Sequence, residues 1–559
     1  MKIFLLCISF CFAFSISDCR TPDQSSLPSG LQASETEMET RGVIELDRGW
    51  RFLRESIDGG HKVELSDESW EKITLPHTWN ALDGQNGKND FWHGKAWYRR
   101  SITIPSNLSE KKIFIEFDGA NRNTTVYLDG RQIGHHVGGF ARFRFDVTGY
   151  ITPGKAQLLA VQVENYKSHE TKPSTPPYSG DFTFFGGIYR KVRIIATNKL
   201  HFDLLHYASP GVFIKQGGHP DTKGRINVIS RIKNDSKMEQ LFDLRTSVLD
   251  GSGGIVAKKA ISTRLEPSIL KTVDTEIIIP SPRLWQGVED PYLYRVNVEI
   301  FKGDQLVDRI QQPLGIRSFR IDPDHGFFLN GKYLNLHGVS RHQDFFNKGW
   351  AVSEDDELGD LDLIQEMGSN TLRTAHYQQS QLIYDECDRR GLVVWTEIPF
   401  VDRMVQSEEF YHNSKQQLRE LILQNYNHPS IMFWGIGNET TNRRNSPNPL
   451  ELLTQLQEIA HEEAPSRLTA YASNDGNSDP KQKLTDILGV NLYMGWYYGE
   501  ATEQAIGKWI DDFHRLHPQI SLGFSEYGAG GSIHQHEQNP GQPSPGGGVA
   551  PGGIPISFA

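Results

Sequence analysis

The sequence contains few cysteines, four among 559 residues, and their spacing excludes a disulfide-rich fold and a cysteine-bound zinc site. Three of them, Cys7, Cys11 and Cys19, lie within or at the end of an apolar N-terminal stretch. The fourth, Cys387, falls in a helical pattern, where cysteine usually serves as a small buried hydrophobic residue. We therefore predict that the protein has no disulfide bond.

The chain has no long apolar segment after its first residues, which argues against a later membrane-spanning helix. Met1 and Lys2 precede an apolar stretch at 3–16 that is too short to span a bilayer, so we predict a signal peptide at 1–19. Cys19 is either the lipidated first residue of a lipoprotein or follows an ordinary cleavage site, and Asp18 leaves both alternatives open. We expect a secreted or periplasmic protein, or one anchored to a bacterial envelope by lipid on Cys19.

The chain has fewer positive than negative residues, 58 Lys and Arg against 69 Asp and Glu, which gives a net charge of −11. The charges are spread along the chain and form no basic block. A nucleic-acid-binding surface normally needs such a block, so nucleic acid is not expected as a partner. The sequence leaves open whether the protein is a homo-oligomer.

The length predicts three or four domains. Residues 20–42 are rich in Ser, Pro, Glu and Thr and are expected to form a disordered spacer. In 43–197 and 198–318, short strands alternate with turns such as Asp129-Gly130, which predicts two all-β domains. Helical and strand patterns alternate from 319 to 538, which predicts a parallel sheet.

Two of the predicted parallel strands end in a glutamate close to glycine. One is apolar at 431–434 and ends in Gly437-Asn438-Glu439, and the other runs from 520 and ends in Glu526 before Tyr527-Gly528. Polar residues at the carboxyl ends of such strands form the active sites of α/β barrels. One glutamate could equally form a structural salt bridge. Two of them provide the acid and the nucleophile or base that glycoside hydrolysis requires.

These motifs resemble the acid/base and nucleophile motifs of the family-2 glycoside hydrolases, the β-galactosidase and β-glucuronidase group. The stretches at 185–190 and 282–285 resemble parts of the other two domains of that family. The resemblance implies a β jelly-roll sandwich that binds sugar at 43–197, an immunoglobulin-like β-sandwich at 198–318 and a TIM (β/α)8 barrel at 319–538.

The resemblance also implies roles for the two glutamates. Glu439 would be the general acid/base at the end of strand four, and Glu526 the nucleophile at the end of strand seven, if 333–336 is counted as strand one. The family retains the anomeric configuration, which places the two carboxyl groups about 5 Å apart.

Further site residues follow from the same resemblance. His342 and His376 would bind sugar hydroxyls after the first two barrel strands, and Asn438 would hydrogen-bond the sugar 2-hydroxyl or, alternatively, cap a turn. Arg373 would orient a catalytic carboxylate. Tyr493 would hydrogen-bond the nucleophile.

The sequence does not decide the roles of two more candidate site residues or the path of one loop. Trp496 would stack on a sugar face, although a role in the core fits it nearly as well. Asp181 matches an acidic residue that reaches the site from the first domain in some galactosidases. The family usually has proline after the tyrosine of the second histidine motif, whereas this sequence has Gln378, which leaves the path of that loop open.

We expect neither a cofactor nor a metal. Some members of the family bind Mg²⁺ near the acid/base through a glutamate and a histidine two residues later. Glu397 occupies the first of these positions, but Pro399 occupies the second.

Residues 539–559 contain 11 Gly or Pro among 21 residues and no helical or strand pattern. A barrel with seven strands still needs an eighth strand and its last helices to close. We interpret this stretch as an aberrant tail and expect an incomplete barrel. An ordinary loop at which the chain was cut is the alternative.

The predicted function is a retaining exo-β-glycosidase that acts on terminal β-linked sugars, with β-galactosidase as the first choice. A β-glucuronidase or a β-mannosidase of the same family is the first alternative. The second alternative is an inactive carbohydrate-binding protein, because the barrel is expected to be incomplete. In every case the expected partner is a carbohydrate.

Overall fold

The structure is a computed structural model that describes residues 40–84, 91–166, 175–177, 179–180, 182–217, 223–440, 447–476, 481, 483–494, 497 and 503–528. Several predictions concern residues outside these ranges and are not tested by it. They are the signal peptide with Cys19, most of the spacer, Asp181, Trp496 and the tail at 539–559.

The first region is a sandwich of two antiparallel sheets. Its strands are β1 Arg41–Glu45, β2 Trp50–Leu53, β3 Glu71–Ile73, β4 Lys95–Thr103, β5 Lys112–Phe117, β6 Asn123–Leu128, β7 Arg131–Val137, β8 Phe143–Asp146, β9 Ala156–Glu164 and β10 Val192–Thr197. One sheet has the order β1-β10-β5-β8, and the other has the order β3-β2-β4-β9-β6-β7. Both sheets turn apolar residues inwards, among them the fully buried Phe117, Val126 and Val161. Asp129 and Gly130 have φ of 46° and 78°, as the tight hairpin turn between β6 and β7 requires.

The second region is a smaller sandwich. Its strands are β11 Leu200–Phe202, β12 Val212–Gly217, β13 Lys223–Asn234, β14 Gln240–Leu249, β15 Ile255–Leu265, β16 Leu270–Pro280, β17 Tyr294–Lys302 and β18 Gln305–Leu314. The sheet β15-β14-β17-β18 faces a sheet in which β13 pairs with β11, β12 and β16. Buried and less buried residues alternate along β13, which places its apolar side chains between the sheets.

The third region begins with a small antiparallel sheet of β19 Phe319–Asp322, β20 Gly326–Leu329 and β21 Lys332–Tyr333. A sheet of seven parallel strands follows, in the order of the sequence. These strands are β22 Gly338–Ser340, β23 Thr371–Thr374, β24 Val393–Glu397, β25 Ile431–Asn438, β26 Leu468–Ser473, β27 Ile487–Asn491 and β28 Leu522–Glu526. The predicted fold class, two β-sandwiches followed by a parallel α/β barrel, is confirmed.

The predicted first strand of the barrel was misplaced. The segment 333–336 was expected there, but Lys332–Tyr333 pairs antiparallel with β20, and the first parallel strand is Gly338–Ser340. The order is unchanged, so Glu439 still follows the fourth strand and Glu526 still ends the seventh. Ser340 Oγ donates to the backbone carbonyl of Ser525 at 3.3 Å, so the carboxyl ends of β22 and β28 approach each other and the sheet is nearly closed.

Five helices with described bounds accompany these strands, namely α1 Glu354–Glu366, α2 Gln381–Arg390, α3 Glu408–Gln424, α4 Leu450–Glu463 and α5 Glu503–Leu516. A capping box opens α1, where Ser353 and Asp356 bond each other's backbone amide. Leu361 and Ile364 of this helix are buried, whereas Met367, directly after it, is 65% exposed. Within the described residues, no helix combines the length and the apolar character needed to cross a bilayer.

Candidate active site

The fourth barrel strand, β25, is buried along its whole length and delivers Asn438 and Glu439 to the carboxyl end of the sheet. Its glycines allow this close packing. A Cβ atom on Gly435 would lie 2.4 Å from Glu397 Cβ and 2.6 Å from Trp395 Nε1. The backbone of Glu439 has a positive φ of 51°, so the chain turns sharply as it leaves the strand.

Glu526, at the end of the seventh strand, is surrounded by groups that favour its ionised form. Arg373 Nη1 lies 2.6 Å from Oε1, and Tyr493 OH donates to Oε2 at 2.6 Å. His376 Nε2 lies 3.7 Å from Oε1. Burial raises the pKa of Glu526, but the Arg373 charge, the His376 ring and the Tyr493 hydrogen bond together lower it below its usual range. Glu526 is therefore a carboxylate at neutral pH.

Arg373 is shared between Glu526 and a second buried carboxylate, Glu397. Its Nε and Nη2 donate to the two oxygens of Glu397 at 3.1 and 2.8 Å. Glu397 also accepts hydrogen bonds from Trp395 Nε1 at 2.8 Å and bonds His376 Nδ1 at 2.7 Å. Burial lowers the pKa of Arg373, but the two carboxylates outweigh this effect and raise it. The guanidinium is thus permanently charged and fixed on three nitrogens.

Glu439 lies in a different environment, in which neutral amides bond both of its carboxyl oxygens. Asn474 Nδ2 donates to Oε2 at 2.9 Å, and Asn491 Nδ2 donates to Oε1 at 2.6 Å. These bonds fix the plane of the carboxyl group without placing a cation on it. A carboxyl group held in this way can carry a proton or release it, as a general acid and base must.

Asn438 connects the two carboxyl groups. Its Oδ1 accepts from Arg373 Nη2 at 2.8 Å and from Asn491 Nδ2 at 3.2 Å. Hydrogen bonds therefore run without interruption from Glu526 through Arg373, Asn438 and Asn491 to Glu439. Because these contacts use the amide oxygen of Asn438, its NH2 group is the one that would donate to a sugar hydroxyl.

The two predicted histidines lie side by side, with ring centroids 5.3 Å apart. His342 Nδ1 lies 3.2 Å from Tyr377 OH, whereas both ring nitrogens of His376 face protein carboxylates. Phe182 of the first sandwich packs against both rings, with centroid distances of 5.3 and 5.9 Å. The first region thus contributes an aromatic side chain to the site.

The structure also gives the path of the loop at Gln378, which the sequence left open. The backbone carbonyl of Gln378 accepts from Arg190 Nη2 of the first sandwich at 3.1 Å, and its side chain bonds Gln424 Oε1 at 2.9 Å. A polar contact between regions therefore holds this loop. The predicted site residues Asp181 and Trp496 lie outside the described residues, so their roles stay predictions.

Sequence reasoning gave no role at the catalytic carboxyl groups or histidines to four residues that contact them or Arg373, and considered Glu397 only as a possible Mg²⁺ ligand. Asn474 and Asn491 contact Glu439, Glu397 pairs with Arg373, and Phe182 packs on the histidines. For Asn491 the available signal was its position two residues before Tyr493 at the end of a predicted strand, because side chains two residues apart on a strand point to the same side. Nothing in the sequence pattern distinguishes Asn474 from other loop asparagines.

The contacts of Glu397 bear on the expected absence of Mg²⁺. Both of its oxygens are engaged by Arg373, and the neighbouring donors are Trp395 and His376. A cation on this carboxylate would have to displace the guanidinium. Elsewhere among the described residues, two groups each bring three ligand atoms within 4.8 Å of one another, Asp322 with Asp324 and His325, and Asp385 with Asp388 and His428.

Comparison with known families gives three matches along the chain. The sequence model "Glycosyl hydrolases family 2, sugar binding domain" matches residues 71–198, and "Glycosyl hydrolases family 2" matches residues 210–317. "Glycosyl hydrolases family 2, TIM barrel domain" matches residues 321–539. The three matches follow one another in the order of the three regions of the structure.

Similar proteins include glucuronidases and galactosidases. A β-glucuronidase of Bacteroides fragilis is 38% identical over 512 residues, which cover 90% of this chain and 71% of that protein. A β-galactosidase of Thermoanaerobacter pseudethanolicus is 28% identical over 457 residues, 81% of this chain and 58% of that protein. The solved structure of Bacteroides uniformis β-glucuronidase 2, covalently bound to cyclophellitol-6-carboxylate aziridine, is 32% identical with a TM-score of 0.85, and covers 90% of this chain and 61% of that one. The chain thus spans between about three fifths and seven tenths of the length of these relatives.

Proposed function

This chain belongs to family 2 of the glycosyl hydrolases, and from that premise we propose that it removes terminal β-linked sugars by double displacement. The observation that carries the proposal is the contrast between its two strand-end glutamates. Arg373 and Tyr493 hold Glu526 as a carboxylate, whereas neutral amides of Asn474 and Asn491 bond the two oxygens of Glu439. One anionic nucleophile and one carboxyl group able to exchange a proton are what the retaining mechanism needs.

In the first step a Glu526 oxygen attacks the anomeric carbon, and the bond from that carbon to the leaving oxygen breaks. Glu439 gives its proton to the leaving oxygen and becomes a carboxylate, while Glu526 becomes a glycosyl ester. In the second step Glu439 takes a proton from water, and the water oxygen attacks the anomeric carbon. The ester bond breaks, Glu526 becomes a carboxylate again, and the sugar keeps its configuration.

The remaining residues position the reacting groups and the sugar. Arg373 and Tyr493 fix Glu526 from two sides, so that it enters the reaction in one orientation. Asn438 donates its NH2 group to the sugar 2-hydroxyl, a contact that strengthens in the transition state. His342 binds a sugar hydroxyl, and His376 shares this task or acts through the carboxylates that it contacts.

For the sugar we propose β-linked glucuronic acid. A β-glucuronidase gives the higher identity, 38% against 28% for the β-galactosidase named above, and the similar solved structure is also of a β-glucuronidase. The sequence analysis preferred β-galactosidase, which the comparisons do not confirm. Galactosidase remains the second candidate, because relatives of that activity match over 80% or more of this chain.

Hydrolysis of a matched set of nitrophenyl glycosides tests the sugar. We expect the β-glucuronide to give a kcat/KM at least about tenfold above that of the β-galactoside and the β-mannoside, which corresponds to a difference of about 1.4 kcal/mol in transition-state binding. The reverse order would assign the galactosidase activity. Binding of glucuronic acid to the whole chain without turnover of any glycoside would identify a carbohydrate-binding protein instead.

We also propose that the protein is exported and carries lipid on Cys19. The support is the apolar stretch at 3–16 followed by Ser17, Asp18 and Cys19. Mass spectrometry of the mature protein from membranes tests this. A diacylated N-terminal Cys19 is expected, and an unmodified N-terminus in the soluble fraction would contradict the lipid anchor.

A further inference from the structure

Asn491 ends the sixth barrel strand and is 2% exposed, and each polar atom of its side chain has a protein partner. Its Oδ1 accepts from Ser525 Oγ at 2.7 Å. Its Nδ2 donates to Glu439 Oε1 at 2.6 Å and to Asn438 Oδ1 at 3.2 Å. These partners fix the amide orientation, because a flipped amide would turn its oxygen towards the oxygens of Glu439 and Asn438.

The position of Asn491 is unusual because it contacts both halves of the catalytic arrangement. On one side it bonds Glu439, and on the other it bonds Ser525, the residue directly before Glu526. A change in the orientation of this amide would therefore move the acid/base relative to the nucleophile strand. Both N–H groups of Asn491 donate to protein oxygens, so this side chain has no N–H left to donate to a sugar hydroxyl.

We propose that Asn491 is a positioning residue for the general acid/base, aiming the Glu439 carboxyl group and stabilising the charge that appears on it when the leaving group takes its proton. The proposal rests on the role given to Glu439 in the proposed function. An N–H group that bonds a carboxylate stabilises the ionised form more than the protonated form. The amide is already in place before the proton leaves, so no reorganisation is needed during the step.

Other charged and titratable groups also act on Glu439, and their contributions have to be separated from that of Asn491. Glu526, at the end of β28, disfavours a second negative charge in the site. Arg373 on β23 offsets that effect from the far side of Asn438. Tyr493 stands two residues after Asn491 and interacts electrostatically with Glu439. Asn474 provides the second amide, on the other carboxyl oxygen.

The test compares three variants at positions around this amide. Asn491→Leu keeps the branching at Cγ and removes the donor, and Asn491→Asp keeps the shape and replaces the donor with a like charge. Ser525→Ala is the matched control, because it removes the bond to Asn491 Oδ1 but leaves the donor to Glu439 in place. Thermal unfolding of each variant verifies that it is folded. If Asn491→Leu does not fold, Asn491→Asp is used for the measurements below.

We expect the basic limb of the kcat/KM profile to move to higher pH by about one unit in Asn491→Leu and further in Asn491→Asp. The loss of rate should be greater for a phenyl glycoside than for a dinitrophenyl glycoside, because only the poorer leaving group needs the acid. Ser525→Ala should shift the basic limb of the kcat/KM profile by less than half of the shift in Asn491→Leu. A uniform drop in rate at an unchanged limb in both Asn491 variants would overturn the proposal, since it indicates a purely structural residue.

A second readout does not depend on turnover. In protein labelled with ¹³C at the glutamate carboxyl carbons, the NMR signal that disappears in Glu439→Gln reports the titration of Glu439 directly. An upward shift of its midpoint in Asn491→Leu supports the inference even if no glycoside is hydrolysed, in which case only the proposed function fails. An unchanged midpoint overturns the inference, whatever the chain hydrolyses.

Discussion

Arg373 and Glu526 form a buried ion pair in which Nη1 and Oε1 are 2.6 Å apart, and each side chain is exposed by 15% or less. The same guanidinium holds Glu397 at 2.8 Å, so one cation serves two carboxylates of different function. Glu397 fixes the guanidinium, and its own side chain is only 1% exposed. Arg373 in turn fixes Glu526 and keeps it ionised.

Replacing Arg373 with glutamine should move the acidic limb of the kcat/KM profile to higher pH. The pKa of Glu526 is lowered chiefly by the Arg373 charge against the effect of burial, so loss of that charge raises this pKa, and the nucleophile is protonated at a pH where the parent is still ionised. The change also leaves Glu397 as a buried carboxylate without its cation, which should cost about 3–5 kcal/mol of stability. A pH–rate profile and urea unfolding measure the two effects.

Arg389→Gln is the matched control for that variant, since Arg389 lies on α2 with a 62% exposed side chain and pairs only with nearby Glu386 in the described contacts. It should leave both the limb and the stability close to those of the parent. An Arg373→Gln protein with an unmoved acidic limb would contradict the role given to the ion pair.

Replacing Glu526 with glutamine should abolish formation of the glycosyl-enzyme. An amide is a poor nucleophile, so kcat should fall on the order of 10⁴-fold or more. Intact-protein mass spectrometry after incubation with a fluorosugar or a cyclophellitol aziridine measures the adduct directly. Glu397→Gln is the comparison, because it changes a buried carboxylate that bonds the same arginine. Full labelling of Glu526→Gln would exclude Glu526 as the nucleophile.

Replacing Glu439 with alanine should affect substrates unequally. A dinitrophenyl glycoside needs little protonation of its leaving oxygen, whereas a natural glycoside needs it fully, so the loss should be smaller for the first and on the order of 10²–10⁴-fold for the second. Azide should restore turnover of the activated substrate by replacing water in the second step, and the product should then be the β-glycosyl azide. Equal losses on both substrates, without rescue, would reject the acid/base role.

Much of this arrangement was readable from the sequence because it depends on local patterns. The apolar run at 431–434 and the glycines after it predict a buried strand that ends near Glu439. One glutamate at a strand end fits a salt bridge equally well, and it was the second one, Glu526, that favoured a catalytic site. Arg373 and Tyr493 were predicted from the family resemblance rather than from a local pattern, and the structure gives each a direct bond to Glu526.

Other parts depend on contacts between distant segments. The first half of helix α3, from Glu408, shows little apolar period in the sequence, because its buried face includes polar residues that contact the first sandwich. Glu420 bonds His136 at 2.9 Å, and Asn413 donates to the carbonyl of Val137. A helix whose buried face is polar lacks the apolar period from which helices are recognised. Phe182 was not predicted for a similar reason, because the histidines on which it packs, His342 and His376, belong to another region of the chain.

The first sandwich contains a buried carboxylate whose titration should control stability in acid. Burial raises the pKa of Glu116, but Arg144, Arg142 and Arg193 outweigh this effect and lower it to about 2. Arg193 Nη1 lies 2.5 Å from its Oε1, and Arg144 bonds its Oε2. Because Arg142 also donates to Gln381 of the barrel region, the cluster lies where the two regions meet.

We therefore predict a stability term that is present above the ordinary glutamate pKa of 4.5 and lost as the pH falls towards about 2. The sign follows from the lowered folded-state pKa, because protons then bind the unfolded chain more tightly than the folded one. A shift of this size corresponds to roughly 3 kcal/mol.

Glu116→Gln should lose this contribution to the free energy of unfolding at neutral pH. Its unfolding midpoint in urea should change less between pH 5 and pH 3 than that of the parent. Glu110→Gln, at an exposed carboxylate on the same sandwich, is the control and should behave as the parent does. If parent and Glu116→Gln lose stability in parallel over this range, the acid sensitivity has another source.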